Sequence, residues 1–169
     1  GEQGLWTKAN NFELSTRVPL ILSVPGQQNA GRECGRLVEL VDVYPTLADV
    51  CGLKTPVGVE GVSMQPLLLE PNRPWKHAIF SQYPRDRNSH RHRSHGDIMG
   101  YAVRTERYRY VEWREWETKD IVARELYDHT VDPRESRNIA NQPAHDETMM
   151  RLAEILESGP DSVVPAQTE

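Results

Sequence analysis

At 169 residues, with 37% hydrophobic residues and a formal net charge of −5, the chain is long enough for one domain, or one small domain plus part of another. Aromatic and β-branched residues run through it, which excludes a disordered chain. No apolar run approaches the roughly 20 residues that cross a bilayer, and the acidic balance argues against a nucleic-acid binder.

The chain opens on Gly1–Arg17, a Gly-Glu-Gln-Gly turn followed by Trp6, Lys8 and a short polar run. This opening stretch does not begin with Met. The expectation is a chain that starts inside a structured motif and forms the C-terminal part of something larger. Val18–Val24 is nearly continuous in apolar residues and ends at Pro25-Gly26, a pattern that predicts a strand buried on both faces. Gln27–Gly35 reads as a polar loop. Leu40, Val43, Tyr44, Leu47, Ala48 and Cys51 recur at helical spacing and predict one buried face. Asp42 is the candidate N-cap, Pro45 suits the first turn and Gly52 the stop. Strand, loop and helix in this order suit the end of an α/β domain, over residues 1–55.

Residues 56–76 hold four prolines and two glycines and read as a linker, with a short turn or helix at Val62–Leu69. Residues 77–160 then read as an antiparallel sheet plus one helix. Strands are expected at His77–Tyr83, Ile98–Arg104, Tyr108–Trp113 and Arg124–Tyr127, the middle two joined by Thr105-Glu106-Arg107 as a hairpin. Met149, Leu152, Ala153 and Leu156 form one face of a last helix, stopped by Gly159-Pro160. Residues 161–169 are expected to fray.

Three features could carry chemistry. Lys8 precedes the predicted strand, in the kind of loop where α/β proteins place ligand groups, and a lysine there offers a compact charge for an anion; the alternative is a solvated surface lysine. Arg85–His95 holds four arginines against one aspartate and three of the six histidines. Guanidinium forks suit sulfate, phosphate or carboxylate. The histidines His90, His92 and His95 lack accompanying Cys ligands and are weak metal candidates, and a solvated loop is the plain reading. Arg104 falls on a strand of small and apolar residues and needs a partner if buried, either a structural carboxylate or a ligand. Tyr101, Tyr108, Tyr110 and Trp113 suit cross-strand packing. The two cysteines, Cys34 and Cys51, have no zinc-site neighbours, and Cys51 is expected to be a small buried hydrophobe. The chain contains no Gly-x-Ser-x-Gly elbow, phosphate loop or His-Glu-x-x-His.

Several stretches together resemble type I sulfatases of the alkaline-phosphatase-like superfamily. GEQGLWTKANNFELSTRVPLILSVPG resembles the segment that follows that family's Asp-His metal motif, VELVDVYPTLADVCGL its next helix, and ELYDHTVDPRESRNIA its C-terminal strand and turn. SQYPR and IMGYAVRTERYRYVEW most resemble the iduronate-2-sulfatase group and its bacterial relatives. The resemblance implies an alkaline-phosphatase-like α/β fold and hydrolysis of sulfate esters by a formylglycine matured from Cys or Ser, with a calcium ion on the sulfate oxygens. It implies a sulfated, uronate-containing saccharide as substrate, and a periplasmic, extracellular or lysosome-like compartment.

Lys8 matches the family lysine that contacts the sulfate group. Arg85, Arg87, Arg91 and Arg104 are candidate substrate contacts; Arg104 resembles an arginine of the C-terminal subdomain in the iduronate-2-sulfatase group, where a structural role near the cleft is the expectation. Neither cysteine is followed by x-Pro-x-Arg, and the Asp-His pair falls before Gly1, so this chain is expected to hold no metal of its own. The calcium ligands and the formylglycine would come from an N-terminal remainder, without which the chain is inactive. Gln3 stands where relatives commonly carry His. Two alternatives stay open: a phosphonate, phosphate, aryl or choline sulfate ester hydrolase of the same superfamily, and a non-catalytic module binding sulfated glycans through Arg85–His95.

Overall fold

The computed structural model describes residues 2–4, 9–85 and 97–165. The chain divides into two compact units, Gly1–Val18 with Phe80–Ser162, and Pro19–Ile79 with Val163–Glu169.

The first unit is built on a four-stranded sheet, β1 (Ala78–Arg85), β2 (Ile98–Thr105), β3 (Tyr108–Glu115) and β4 (Ile121–Asp128), in the order β1-β2-β3-β4. The β2–β3 and β3–β4 pairs are antiparallel. The hairpin predicted around Thr105-Glu106-Arg107 forms, pairing Ala102 with Val111 and Arg104 with Arg109. Side chains alternate across the sheet, so Gly100, Ala102 and Arg104 share one face with Arg109, Val111 and Trp113. That face receives the short helix α1 (Glu13–Thr16) and the residues before it. The opposite face receives the long helix α4 (Asp146–Ser158), whose Leu152 is fully buried. β3 is therefore covered on both sides and is buried from Tyr108 to Trp113, where its sequence suggests alternation.

Gly100 is required by close approach. A Cβ there would lie 2.6 Å from Trp113 Cζ3 and 2.9 Å from Asn11 Nδ2. The indole lies against this bare backbone and donates from Nε1 to Glu125, while Asn11 Nδ2 donates to the Gly100 carbonyl at 2.9 Å.

The second unit contains helices α2 (Val43–Val50) and α3 (Gln65–Leu69), the latter inside the stretch read as a linker. Its centre is polar. Asp42 is fully buried and accepts from the backbone N–H of Glu39 and of Val62 and from Lys76 Nζ at 2.7 Å. Lys76 also reaches Glu39 at 2.9 Å. Thr46 Oγ1 donates to the Asp42 carbonyl and accepts from the Met64 N–H. Gly61 lies at φ 89°, and a Cβ would sit 2.4 Å from the Val41 carbonyl oxygen, so only glycine closes this turn.

Four expectations are corrected. Val18–Val24 forms no strand, and Ile21 is 89% exposed; an extended segment needs a ladder partner for its backbone groups, and none of the described residues provides one. The apolar face of α2 is turned outward, leaving Leu40, Tyr44, Leu47 and Cys51 exposed while Asp42, Pro45 and Thr46 are buried. Asp42 makes no side-chain cap to α2, because its carboxylate is committed to Glu39, Val62 and Lys76. Pro160–Val163 is a 3-10 turn with Val163 buried, where a frayed tail was expected to begin. The units also group residues differently from the expected 1–55, 56–76 and 77–160: Gly1–Val18 joins the sheet because Asn11, Phe12 and Glu13 bond or pack there.

Candidate functional site

Lys8, Arg87 and Arg91 lie outside the described residues, as does most of the basic loop. Arg85 closes β1, and its guanidinium stacks over the Trp113 ring at 4.4 Å, a cation–π contact. Its carbonyl accepts from the Asp97 N–H at 3.0 Å, and the Asp97 carbonyl accepts from Trp116, so the two ends of the basic loop are tied together where the loop leaves the sheet. Arg104 stands elsewhere. It lies seven residues beyond Asp97 along β2, about 23 Å at roughly 3.3 Å per strand residue, so the structure does not bring it beside Arg85.

Arg104 instead belongs to a buried charge cluster that the sequence did not reveal. Its Nε donates to Glu13 Oε2 at 3.1 Å. The same oxygen accepts from Arg109 Nη2 at 2.6 Å. Arg109 spans the cluster, donating also to Thr16 Oγ1 at 2.9 Å and, from Nε, to Glu135 Oε1 at 2.6 Å. His129 Nε2 meets Glu135 Oε1 at 2.7 Å, and the Glu13 backbone N–H donates to Glu135 Oε2 at 2.7 Å. The Arg109 and Glu135 side chains are 2% and 1% exposed. The ion-pair reading of Arg104 is the one this geometry supports, although its Nη1 is enclosed without a hydrogen-bond partner among the described residues.

Each element supplies its group for a local reason. Arg104 and Arg109 are opposite each other across the hairpin, so both guanidiniums leave the same sheet face. Glu135 sits at φ 55° in the tight Asp128–Asn138 turn, where Asp132 accepts the Glu135 and Arg137 N–H groups. Asp128, which opens that turn, is gripped by Arg107 at 2.6 Å and by Thr130. Gln3 donates to the Arg134 carbonyl in the same turn.

Burial pushes the Glu13 carboxyl up, but the hydrogen bond and charge of Arg104, followed by Arg109, outweigh it and hold the group below its ordinary 4.5. Glu135 follows the same pattern: burial raises it, while His129, Arg109 and the Glu13 N–H together hold it lower. A depressed carboxylate gives stability that is fully present above its unfolded value and is lost as pH falls through the folded one. The melting temperature should therefore hold from about pH 7 to about pH 5 and drop as pH falls further, with a shallower acid limb in Glu135→Gln. A thermal-melt series in pH checks this, and a curve flat to about pH 3 would contradict it.

Glu13, His129 and Glu135 bring ligand-type atoms within 4.8 Å of one another. They do not fit the calcium ion that the sulfatase resemblance implies. Calcium takes six to eight oxygens, whereas this cluster offers an imidazole, and its carboxylate oxygens already accept from Arg104, Arg109 and a backbone N–H. Two guanidiniums already balance the two carboxylates, which removes the electrostatic demand for a cation.

A family model described as N-sulphoglucosamine sulphohydrolase, C-terminal, matches residues 1–160. Iduronate 2-sulfatase of Mus musculus is 32% identical over 86% of this chain and 37% of its own length. N-acetylglucosamine-6-O-sulfatase of Bacteroides thetaiotaomicron is 28% identical over 93% of this chain and 27% of its own length. The chain thus spans little more than a third, or less, of these relatives. Among solved structures, a protein in complex with its substrate D-glucosamine-2-N,6-O-disulfate superposes with a TM-score of 0.54 at 26% identity, covering 69% of this chain and 22% of that one. Phosphonate monoester hydrolase of Agrobacterium radiobacter superposes with a TM-score of 0.60 at 27% identity, covering 77% and 26%. From the match over residues 1–160 together with these relatives, the chain belongs to the sulfatase family, to the part that this C-terminal model describes.

Proposed function

We propose that the chain is the C-terminal part of a sulfatase that hydrolyses sulfate esters of a sulfated, uronate-containing saccharide. The observation that carries this reading is the 32% identity to an iduronate 2-sulfatase across 86% of the chain. In this reading Lys8 contacts the sulfate group, where its positive charge stabilises the negative charge that develops there. Arg85, Arg87 and Arg91 offer cations to the anionic saccharide. The formylglycine and calcium would be supplied by residues upstream of Gly1, and the chain alone would be inactive. Two features support a further covering portion of polypeptide: the outward apolar face of α2 with the 3-10 turn before it (Leu40, Tyr44, Leu47), and the unpaired apolar segment at Val18–Val24.

A second reading keeps the superfamily and changes the ester, and the phosphonate monoester hydrolase superposition favours it. Assaying the complete protein on a sulfated uronate disaccharide and on a phenyl phosphonate monoester separates the two. Release of sulfate at the higher kcat/KM is expected. Preference for the phosphonate ester would replace the first reading with the second. Turnover by residues 1–169 alone would contradict the placement of the nucleophile upstream.

A further inference from the structure

We propose that Glu13 is a positioning residue, the centre of a buried clasp that fixes the segment carrying Lys8 to the C-terminal sheet. The inference rests on the reading of Lys8 as the sulfate contact.

Residues 9–17 have little internal structure to hold them. α1 is a single four-residue turn with no side-chain cap, and helices so short do not stand alone. What holds the segment is a set of contacts to distant residues. Asn11, 4% exposed, donates to the Gly100 carbonyl and accepts from Ser81 Oγ. Phe12 meets the Tyr127 ring edge-on at 5.8 Å. Glu13 is gripped twice: its carboxylate by Arg104 and Arg109, its backbone N–H by Glu135. Thr16 accepts from Arg109. One carboxylate oxygen shared by two guanidiniums, five residues after Lys8, fixes the chain laterally and vertically on the sheet face. The outer partner Arg17, 81% exposed and 3.8 Å from Glu13, adds little.

A lysine must be placed to within a fraction of an ångström to favour a transition state, and misplacement by about 1 Å costs on the order of a hundredfold in rate. The clasp keeps its backbone anchor in place. Its signature is non-additivity with Lys8, which a merely structural pair would not show.

The test uses the complete protein in five forms: wild type, Glu13→Gln, Lys8→Ala, the double variant, and Arg17→Ala. Glu13→Gln should lower kcat by about tenfold to a hundredfold with KM changed by less than about threefold. In the Lys8→Ala background the same substitution should cost less than about threefold. Arg17→Ala should leave turnover unchanged. An equal loss in both backgrounds, or an unchanged kcat beside a lowered melting temperature, overturns the proposal. Should Glu13→Gln not fold, Thr16→Val removes the Arg109 contact together with the local bond from Thr16 Oγ1 to the Phe12 carbonyl, leaves the Glu13 carboxylate in place, and is read in the same cycle. If Lys8→Ala itself leaves turnover intact, it is the sulfate-contact reading that fails. Hydrogen exchange then decides the clasp alone: Glu13→Gln should speed exchange across residues 9–17 by about tenfold or more, and unchanged exchange overturns it.

Discussion

Replacing Arg109 with alanine is expected to destabilise the sheet unit by about 3–5 kcal/mol, the usual cost of breaking a buried ion pair from one side. Its guanidinium is the common partner of Glu13, Thr16 and Glu135. Without it, Glu135 keeps its charge at 1% exposure with only His129 and the Glu13 N–H to answer it. The penalty is the stranded charge more than the lost attraction. Arg109→Met combined with Glu135→Gln should therefore cost less than Arg109→Ala alone, since it removes both charges and keeps volume. Urea unfolding of the three proteins checks the order. A loss below about 1 kcal/mol for Arg109→Ala, the scale of an exposed pair, would mean that the cluster is wetter than its geometry.

Lys76→Met should have an effect of the same size in the other unit, about 3–5 kcal/mol. Lys76 is 6% exposed and Asp42 fully buried, with Nζ at 2.7 and 2.9 Å from the two carboxylate oxygens. The methionine fills the lysine stem but leaves Asp42 with only the Glu39 and Val62 N–H groups. Those hydrogen bonds stabilise the carboxylate without neutralising it. Lys76 shares no partner with Arg109, so the two losses should add within about 0.5 kcal/mol; marked non-additivity in the double variant would show coupling that the contacts do not contain.

Much of this fold was legible in local pattern. The β2–β3 hairpin follows from alternation on both sides of a short polar turn, and α4 from its apolar spacing and the Gly159 stop. What local pattern could not supply is the identity of long-range partners. Glu13 and Arg109 are 96 residues apart, and Glu13 and Glu135 are 122 apart; a contact at that separation leaves no period to read. The sequence showed that a buried Arg104 needs a partner, but nothing near it named Glu13.

Two apolar patterns were legible and misplaced for one reason. The spacing of Leu40, Tyr44 and Leu47 and the run Val18–Val24 show which residues want burial, yet Leu40, Tyr44, Leu47, Val18, Leu20 and Ile21 are exposed here, because periodicity does not say what a face packs against. The position of Asp42 before α2 suggests a cap, a role displaced by its bonds to the Glu39 and Val62 N–H groups and to Lys76. Lys8 carries no physical signal beyond a charge near the end of a loop, and its assignment comes from family resemblance alone.

That assignment is also the most direct point of attack. Sulfate release by the complete protein, measured for wild type and Lys8→Ala together with the melting temperature of each, tests whether this chain contributes to a sulfatase active site. The account predicts a fall in kcat of roughly a hundredfold with the melting temperature unchanged. Undiminished sulfate release by Lys8→Ala would contradict it.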